Sequence, residues 1–121
     1  PTASVTTPTA GVLPLRLGVY VAEGVDCRNP PNSGFRIYDG QGISGSSTKA
    51  CRLSIASASG GMVRGSQSCL NSYDQSRTTM PVSVTVSAND RFSIADGGTQ
   101  QSFKRCESPS LPTFLRTLDP S

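Results

Sequence analysis

The sequence predicts an all-β fold: a small antiparallel meander barrel of about eight strands, cross-linked by disulfides and followed by a short C-terminal helix. Apolar and polar residues alternate with period two in one segment after another, as in strands that bury one face. Turn dipeptides separate most of these segments. The four cysteines occur without any histidine, so they favour disulfides over a zinc site. A barrel is expected because closure removes exposed strand edges.

The chain divides into three parts by composition. Residues 1–14 are rich in Thr, Ser, Pro and Ala, which predicts a flexible arm: a spacer from a membrane anchor, an arm that adds to a partner, or a frayed terminus. Residues 15–106 hold the strand patterns and form the barrel domain. Residues 107–121 form a C-terminal tail.

Two strands are predicted before the Asp39-Gly40 turn, and a short return strand starts at Ile43 after it. In the first, residues 15–22, the inward positions are Leu15, Leu17, Val19 and Val21. In the second, residues 35–38, Phe35 and Ile37 face inward, so Arg36 and Tyr38 face outward with Arg52 and Arg64. These outward residues form either a solubilising wall or a cationic patch for a phosphate, a glycan or an acidic protein.

A long hairpin over residues 50–70 is expected to organise the barrel. The turn lies at Ser59-Gly60-Gly61, which sets Cys51 opposite Cys69 and Ser57 opposite Val63. Cys51–Cys69 is therefore predicted to be a disulfide. By elimination, the second disulfide is predicted to be Cys27–Cys106. In a strict meander, however, these two cysteines lie at opposite rims of the barrel. Either the loop after the first strand folds back, or the strand count is off by one.

The rest of the chain predicts three more strands and a helix. The inward side chains of these strands are Val82, Val84, Val86, Phe92, Ile94 and Phe103. Asp96-Gly97-Gly98 is the turn before the last strand. The helix has Ser110 as N-cap, Pro112 in its first turn, and an apolar face of Leu111, Phe114, Leu115 and Leu118. This face docks either on the barrel or on another protein.

Catalytic chemistry is not indicated. Without histidine, the usual nucleophilic triads and most metal sites are excluded, and the acidic residues fall mostly in turns. The spacing Ser46-x-x-Lys49 matches a motif of penicillin-recognising enzymes, but it lacks the helix and the partner motifs which that chemistry needs. We expect a non-enzymatic protein with no cofactor and no metal.

Cysteine usage and charge limit which compartment and which partners we expect. Paired cysteines and a chain that starts without Met predict a periplasmic or extracellular protein whose signal peptide has been removed. The net charge of +3 comes from singly scattered residues, which does not indicate nucleic acid. No apolar run is long enough for a membrane span.

The first strand contains Gly18-Val19-Tyr20, a Gly-x-aromatic pattern. With the eight-strand meander and the four cysteines, it resembles the small periplasmic inhibitor barrels of Gram-negative bacteria, in particular the inhibitors of c-type lysozyme. The segment 44–49, SGSSTK, resembles the Ser-Gly loop of that family, without its following tyrosine. The resemblance implies a barrel that blocks a lysozyme cleft with loop residues, a Ser and a Lys among them.

The predicted function is a non-catalytic binding protein, most concretely a protein inhibitor of a hydrolase such as lysozyme. The expected partner is a protein, with an anionic glycan as a further contact. The alternative is a structural subunit of a bacterial cell-envelope or surface assembly, held by its terminal arms. Two loops at one rim are the predicted binding site, with the residues Ser46, Ser47, Thr48, Lys49, Tyr73 and Arg77.

Overall fold

The computed structural model describes residues 11–95 and 99–121, and it confirms the all-β fold. The described strands form one antiparallel eight-stranded sheet in which β1 lies beside β8, in the order β3-β2-β1-β8-β7-β6-β5-β4. The sheet curls into a nearly closed barrel. The strands are β1 Gly18–Ala22, β2 Phe35–Tyr38, β3 Ile43–Ser44, β4 Thr48–Ser59, β5 Met62–Asn71, β6 Arg77–Ala88, β7 Arg91–Ala95 and β8 Gln100–Cys106.

The barrel closes between β3 and β4, where a side chain replaces part of the backbone ladder. The Leu53 amide donates to the Gln41 carbonyl at 2.8 Å. Beyond this bond, the Gln67 side chain takes over: Oε1 accepts from the Ile43 amide at 2.7 Å, and Nε2 donates to the Ile43 carbonyl at 2.9 Å. Gly42 permits the close approach, since a Cβ there would lie 2.6 Å from the Cys51 carbonyl oxygen. The Gln67 side chain thus makes the two hydrogen bonds to Ile43 that the backbone of a neighbouring strand would otherwise make.

The β4–β5 hairpin is longer than the pattern predicted. Gly60 and Gly61 have φ of 59° and 84°, the left-handed pair that a tight two-residue hairpin turn needs. A bulge after Ile55 shifts the register, so Ala58 rather than Ser57 faces Val63, and that detail of the prediction was wrong. β6 begins at Arg77, within the polar loop predicted over residues 71–79.

Within β1 and β2 the inward faces are the reverse of the prediction, whereas Leu15, before β1, lies in the inner core as predicted and Leu17 packs against it. Tyr20 and Tyr38 lie inside the barrel, packed with the later strands, whose predicted faces are confirmed at Val82, Val84, Phe92, Ile94 and Phe103. The outer cluster contains Val19, Val21, Phe35 and, at its margin, Ile37. Both faces of β1 are buried, so the apolar residues of this strand do not reveal which of its faces points into the barrel. Arg36 consequently points inward, whereas Arg52 and Arg64 are exposed as predicted.

The segment before β1 closes one end of the barrel. Leu13 and Leu15 are fully buried in the inner core. The Tyr38 hydroxyl accepts from the Leu13 amide at 2.9 Å, and the Tyr20 hydroxyl donates to the Arg16 carbonyl at 2.7 Å. The compact part therefore extends upstream of the boundary placed after residue 14. The arm prediction otherwise falls on residues 1–10, outside the described range.

Both predicted disulfides are present. Cys51–Cys69 joins Cα atoms 4.1 Å apart, and Cys27–Cys106 joins Cα atoms 6.0 Å apart. Cys106 pairs with Val19 near the start of β1, while Cys27 follows the end of β1. The loop after β1 therefore folds back and places Cys27 against the outer cluster, which resolves the open question without changing the strand count.

The C-terminal tail packs its apolar residues against the outside of β1 and β2. A 3₁₀ turn, Ser108–Ser110, precedes α1, Thr113–Arg116, the one α-helix within residues 11–95 and 99–121. Its N-cap is Pro112 and not Ser110. Leu111 and Leu115 are buried in the outer cluster. The Phe114 and Leu118 side chains stay 52% and 53% exposed. The turn predicted at residues 96–98 lies outside the described residues.

Replacing Gln67 by Met should destabilise the protein by about 3 kcal/mol, because the Ile43 amide and carbonyl lose their partners at a buried seam. The matched control is Gln101→Met at an exposed position of β8, for which we expect a change within about 0.5 kcal/mol. Urea unfolding measures both. Equal stability of the two variants would show that the amide bridge does not hold the seam.

Stability should fall as the pH rises above about 10. Burial raises the pKa of Tyr20 and of Tyr38 above the ordinary value of 10.0. The unfolded chain then loses these protons at a lower pH than the folded protein, so their contribution is complete below about pH 10 and declines above it. Urea midpoints between about pH 8 and about pH 11 should show this slope, and Tyr38→Phe should reduce it. An unchanged slope in that variant contradicts the assignment.

Candidate binding cavity at the open end of the barrel

The end of the barrel opposite Leu13 and Leu15 opens into a cavity of about 420 Å³. It lies between the start of β2, the end of β3 and the inner faces of β5 and β6. This volume is in the range of small-ligand sites, and barrel mouths are a frequent location for them. Leu13 and Leu15 of the N-terminal segment pack into the inner core and do not line the cavity.

The cavity wall is nearly uncharged and mixes polar and apolar side chains, with somewhat more apolar than polar surface. No acidic residue lines it, and the single charged residue is Arg36. The apolar part consists of Ile43, Met80 and Val82, together with Cys69 of the Cys51–Cys69 bridge. The neutral side chains able to form hydrogen bonds are Asn32, Ser33, Ser46, Ser47, Thr48, Gln67, Asn71 and Thr78.

Arg36 is held in a defined position on this wall. It pairs with Tyr20 in the β1–β2 register and therefore points to the barrel interior. Its guanidinium carbon lies 5.0 Å from the centroid of the Phe103 ring, a cation–π geometry. Nη1 donates to the Phe35 carbonyl at 2.8 Å. The ring and the carbonyl together orient the guanidinium.

Gln67 links the cavity to the seam. Its side chain is buried, with 8% exposure, and both amide atoms are held by Ile43. Because Ile43 and Gln67 both line the cavity, the bonds that close the barrel also form part of the wall. The disulfide between β4 and β5 lies on the same wall, so little of this surface has to be ordered on binding.

The two rim loops predicted as the binding site do meet in the structure. Thr48 pairs with Asn71, and the Ser72 amide donates to the Ser47 carbonyl at 2.9 Å. Thr48 Oγ1 accepts from the Gly45 amide at 3.0 Å, which shapes the loop before β4. Ser46, Ser47 and Thr48 line the cavity.

The other three predicted residues lie on the outside of the rim. Lys49 is exposed on β4, and Tyr73 projects from its loop with 86% exposure. The Arg77 guanidinium donates to the Ser68 carbonyl and hydroxyl on the outer surface. The loop that carries Tyr73 is held by Asp74, whose pKa is lowered by hydrogen bonds from the hydroxyl and the amide of Ser76.

Sequence reasoning missed Arg36, Gln67 and Met80. Gln67 had a signal, since it occupies an inward position of β5 between Val63 and Cys69, where an amide needs a partner. Arg36 was predicted in an outer wall or cationic patch and not in a cavity, because the alternation in residues 35–38 was assigned to the wrong face. Met80 lay between the polar loop predicted over residues 71–79 and the strand predicted from Pro81, and it proved to belong to β6.

Comparison with known proteins adds no assignment. No family model matches the chain, and searches of curated proteins and of solved structures return no significant match. Within the described ranges, no group of three or more His, Cys, Asp or Glu residues could hold a metal ion. No helix of the described chain is long and apolar enough to cross a membrane.

Proposed function

We propose that this chain is a non-catalytic binding protein that holds a small ligand, or a projecting group of a larger partner, in the cavity at the open end of its barrel. The observation that supports this proposal is the cavity, whose wall combines Arg36, placed over the Phe103 ring, with neutral hydrogen-bonding side chains and an apolar strip. Such a wall recognises polar groups without supplying an acid, a base or a nucleophile activated by histidine.

We place this activity in the periplasm or outside the cell. All four cysteines are paired, which is typical of proteins from oxidising compartments. Cys27–Cys106 ties the folded-back loop after β1 to the end of β8, and Cys51–Cys69 cross-links β4 to β5 beside the cavity. A reducing compartment would weaken both regions, the second being the cavity wall.

Inhibition of a hydrolase such as lysozyme is the more specific form of this proposal. A plug that enters an enzyme cleft has to protrude, and on this rim the protruding side chains are Lys49 and Tyr73. The serines of the same rim face the concave cavity instead. An enzyme partner would therefore contact the outer rim with Lys49, Tyr73 and Arg77 while the cavity received a group from it.

A structural subunit of a surface assembly is the second candidate. The observation that favours it is the tail, where Phe114 and Leu118 remain half exposed although Leu111 and Leu115 beside them are buried. Exposed apolar side chains on a short docked helix are suited to contact with another protein. In this case the tail, and not the rim, would hold the partner.

Filling the cavity should abolish ligand binding without disturbing the seam. Thr78 lines the cavity from β6, and Thr79 beside it faces the other side of the sheet. We expect anilinonaphthalene sulfonate, an anionic aromatic dye, to bind the native protein saturably. Thr78→Phe should weaken its binding at least about tenfold, and Thr79→Phe should leave it unchanged. Equal binding by both variants would place the dye, and the site, elsewhere.

Two variants separate the inhibitor from the assembly subunit. The partner for this test is obtained by pull-down from periplasmic extract or from secretions containing lysozyme, and its affinity is measured by calorimetry. If the rim holds the partner, Lys49→Ala combined with Tyr73→Ala should weaken binding at least about tenfold, and Leu118→Ser should not. The reverse result assigns the contact to the tail. Arg52→Ala, on the outer face of β4, serves as the control.

A further inference from the structure

We infer that the outer face of β4, β5 and β6 binds a linear acidic polysaccharide with one carboxylate group per sugar. This surface is separate from the cavity, because its side chains point away from the barrel interior, so the inference goes beyond the proposed function. Three features of the surface carry it: a row of unbalanced cations, hydroxyl side chains between them, and the lack of aromatic side chains.

The charge of this face favours an anionic ligand. β4, β5 and β6 contain no acidic residue, and none of the ion pairs in the described part of the chain involves their cations. Asp74, the acidic residue in the loop between β5 and β6, is held by Ser76. A surface patch of one sign attracts ligands of the opposite sign. The cations of the three strands, all exposed, are Lys49, Arg52, Arg64 and Arg77.

The donors of these cations are open to a ligand. Lys49, Arg52 and Arg64 make no side-chain hydrogen bond to any other described residue. Arg77 uses one nitrogen, Nη1, to donate to the carbonyl and the hydroxyl of Ser68, and its remaining N–H groups are available. An anion can therefore bind all four without displacing an ion pair.

The strand register arranges the four cations in a row. Lys49 and Arg77 pair with Leu70 of β5 from its two sides. Arg52 lies opposite the residue two positions before Leu70, and Arg64 lies six positions before it. Because a strand advances about 3.3 Å per residue, the row is about 20 Å long. This length and direction suit an extended chain better than a compact ligand.

Hydroxyl groups and a depression lie along this row. Ser54 and Ser66 form a register pair between the positions of Arg52 and Arg64. Arg64 also lines an open depression of about 330 Å³, together with residues of β5, β6 and β7, among them Pro81. A depression beside a cation can receive a sugar ring, and serine hydroxyls can donate to or accept from its hydroxyl groups.

The lack of aromatic side chains decides between classes of anionic partner. β4, β5 and β6 contain no Phe, Tyr or Trp. Single-stranded nucleic acids bind by stacking bases on aromatic rings, and protein or membrane contacts use large apolar or aromatic side chains. An acidic polysaccharide can be held by charges and hydroxyl groups alone, which are what this face offers.

The spacing of the cations favours carboxylates over a densely sulfated chain. Four cations along about 20 Å leave gaps of several strand residues, so a polymer with several anions per sugar would keep most of them unpaired. Three of the four are arginines, whose planar guanidinium groups donate two parallel hydrogen bonds to a carboxylate.

The test measures the binding of oligogalacturonate, a linear chain with one carboxylate per sugar, by isothermal titration calorimetry. Its methyl ester has the same chain without the charge. We expect saturable binding of the acid, with the logarithm of its affinity falling linearly with the logarithm of the salt concentration, and at least about tenfold weaker binding of the ester. No saturable binding, or equal binding of the ester, overturns the inference. Tighter binding of heparin or of single-stranded DNA with the same number of charges also overturns it, because either result assigns the surface to another polyanion.

Charge variants assign the binding to this face. Arg52→Gln combined with Arg64→Gln should weaken oligogalacturonate binding at least about tenfold and reduce the salt slope by about one to two. Arg52, a control position for a protein held by the rim, is a test position here. Arg28→Gln combined with Arg116→Gln removes the same charge from the segments outside β1 and β2 and should leave both quantities unchanged. All four positions are exposed, so both variants should fold. Equal affinities of the two double variants contradict the inference.

Thr78→Phe separates this surface from the cavity. It fills the cavity from the inner face of β6, so it should weaken dye binding and leave oligogalacturonate binding unchanged. Loss of oligogalacturonate binding in folded Thr78→Phe would place the polysaccharide in the cavity and overturn the inference. If the native protein binds the dye in the cavity but no oligogalacturonate, the proposed function holds and the polysaccharide inference fails.

Discussion

The barrel depends on one side-chain amide. β3 has only two residues, too few to form a ladder along β4, and the Gln67 amide supplies the missing donor and acceptor to Ile43. An amide reproduces the two groups of a peptide bond, so the ladder continues through a side chain that starts on β5. Without it, the Ile43 amide and carbonyl would face an apolar interior, where unpaired polar groups are costly. The same bridge gives the cavity a continuous wall, so closure of the fold and formation of the site share one cause.

The covering of β1 and β2 on both faces determines what the interior contains. Leu111 and Leu115 of the tail, with Cys27 of the folded-back loop, shield the outer aliphatic residues of these strands. The inner face is thereby left to Tyr20, Arg36 and Tyr38. Tyr20 packs edge-on against Phe92, with ring centroids 5.0 Å apart, and Phe92 stacks on Phe103 at 5.4 Å. Phe103 in turn supports Arg36. Because the tail covers the aliphatic side chains on the outer face of β1 and β2, the inner face can carry Arg36 beside the aromatic rings.

Sequence patterns predicted the parts of this molecule in which one strand face meets water. The valines of β6 and the Phe92–Ile94 pair of β7 were assigned correctly because serines and threonines alternate with them. Hairpin symmetry gave Cys51–Cys69 because those cysteines are close in sequence. The alternation rule failed for Val19 and Phe35, since Leu111 and Leu115 of the distant C-terminal tail bury their outer face. The cavity could not be predicted either: the contact of Gln67 with Ile43 depends on closure of the whole sheet, which no local pattern encodes.

The Gln67 amide itself gives the most direct test of this account. In an NMR spectrum of the isotopically labelled protein, the Gln67 Nε2 protons should exchange slowly with solvent and show a nuclear Overhauser effect to the Ile43 amide proton. The side-chain amide of exposed Gln101 should exchange rapidly in the same sample. Exchange of the Gln67 amide as fast as that of Gln101, with no cross-peak to Ile43, would mean that β3 is detached and that the cavity has no closed wall.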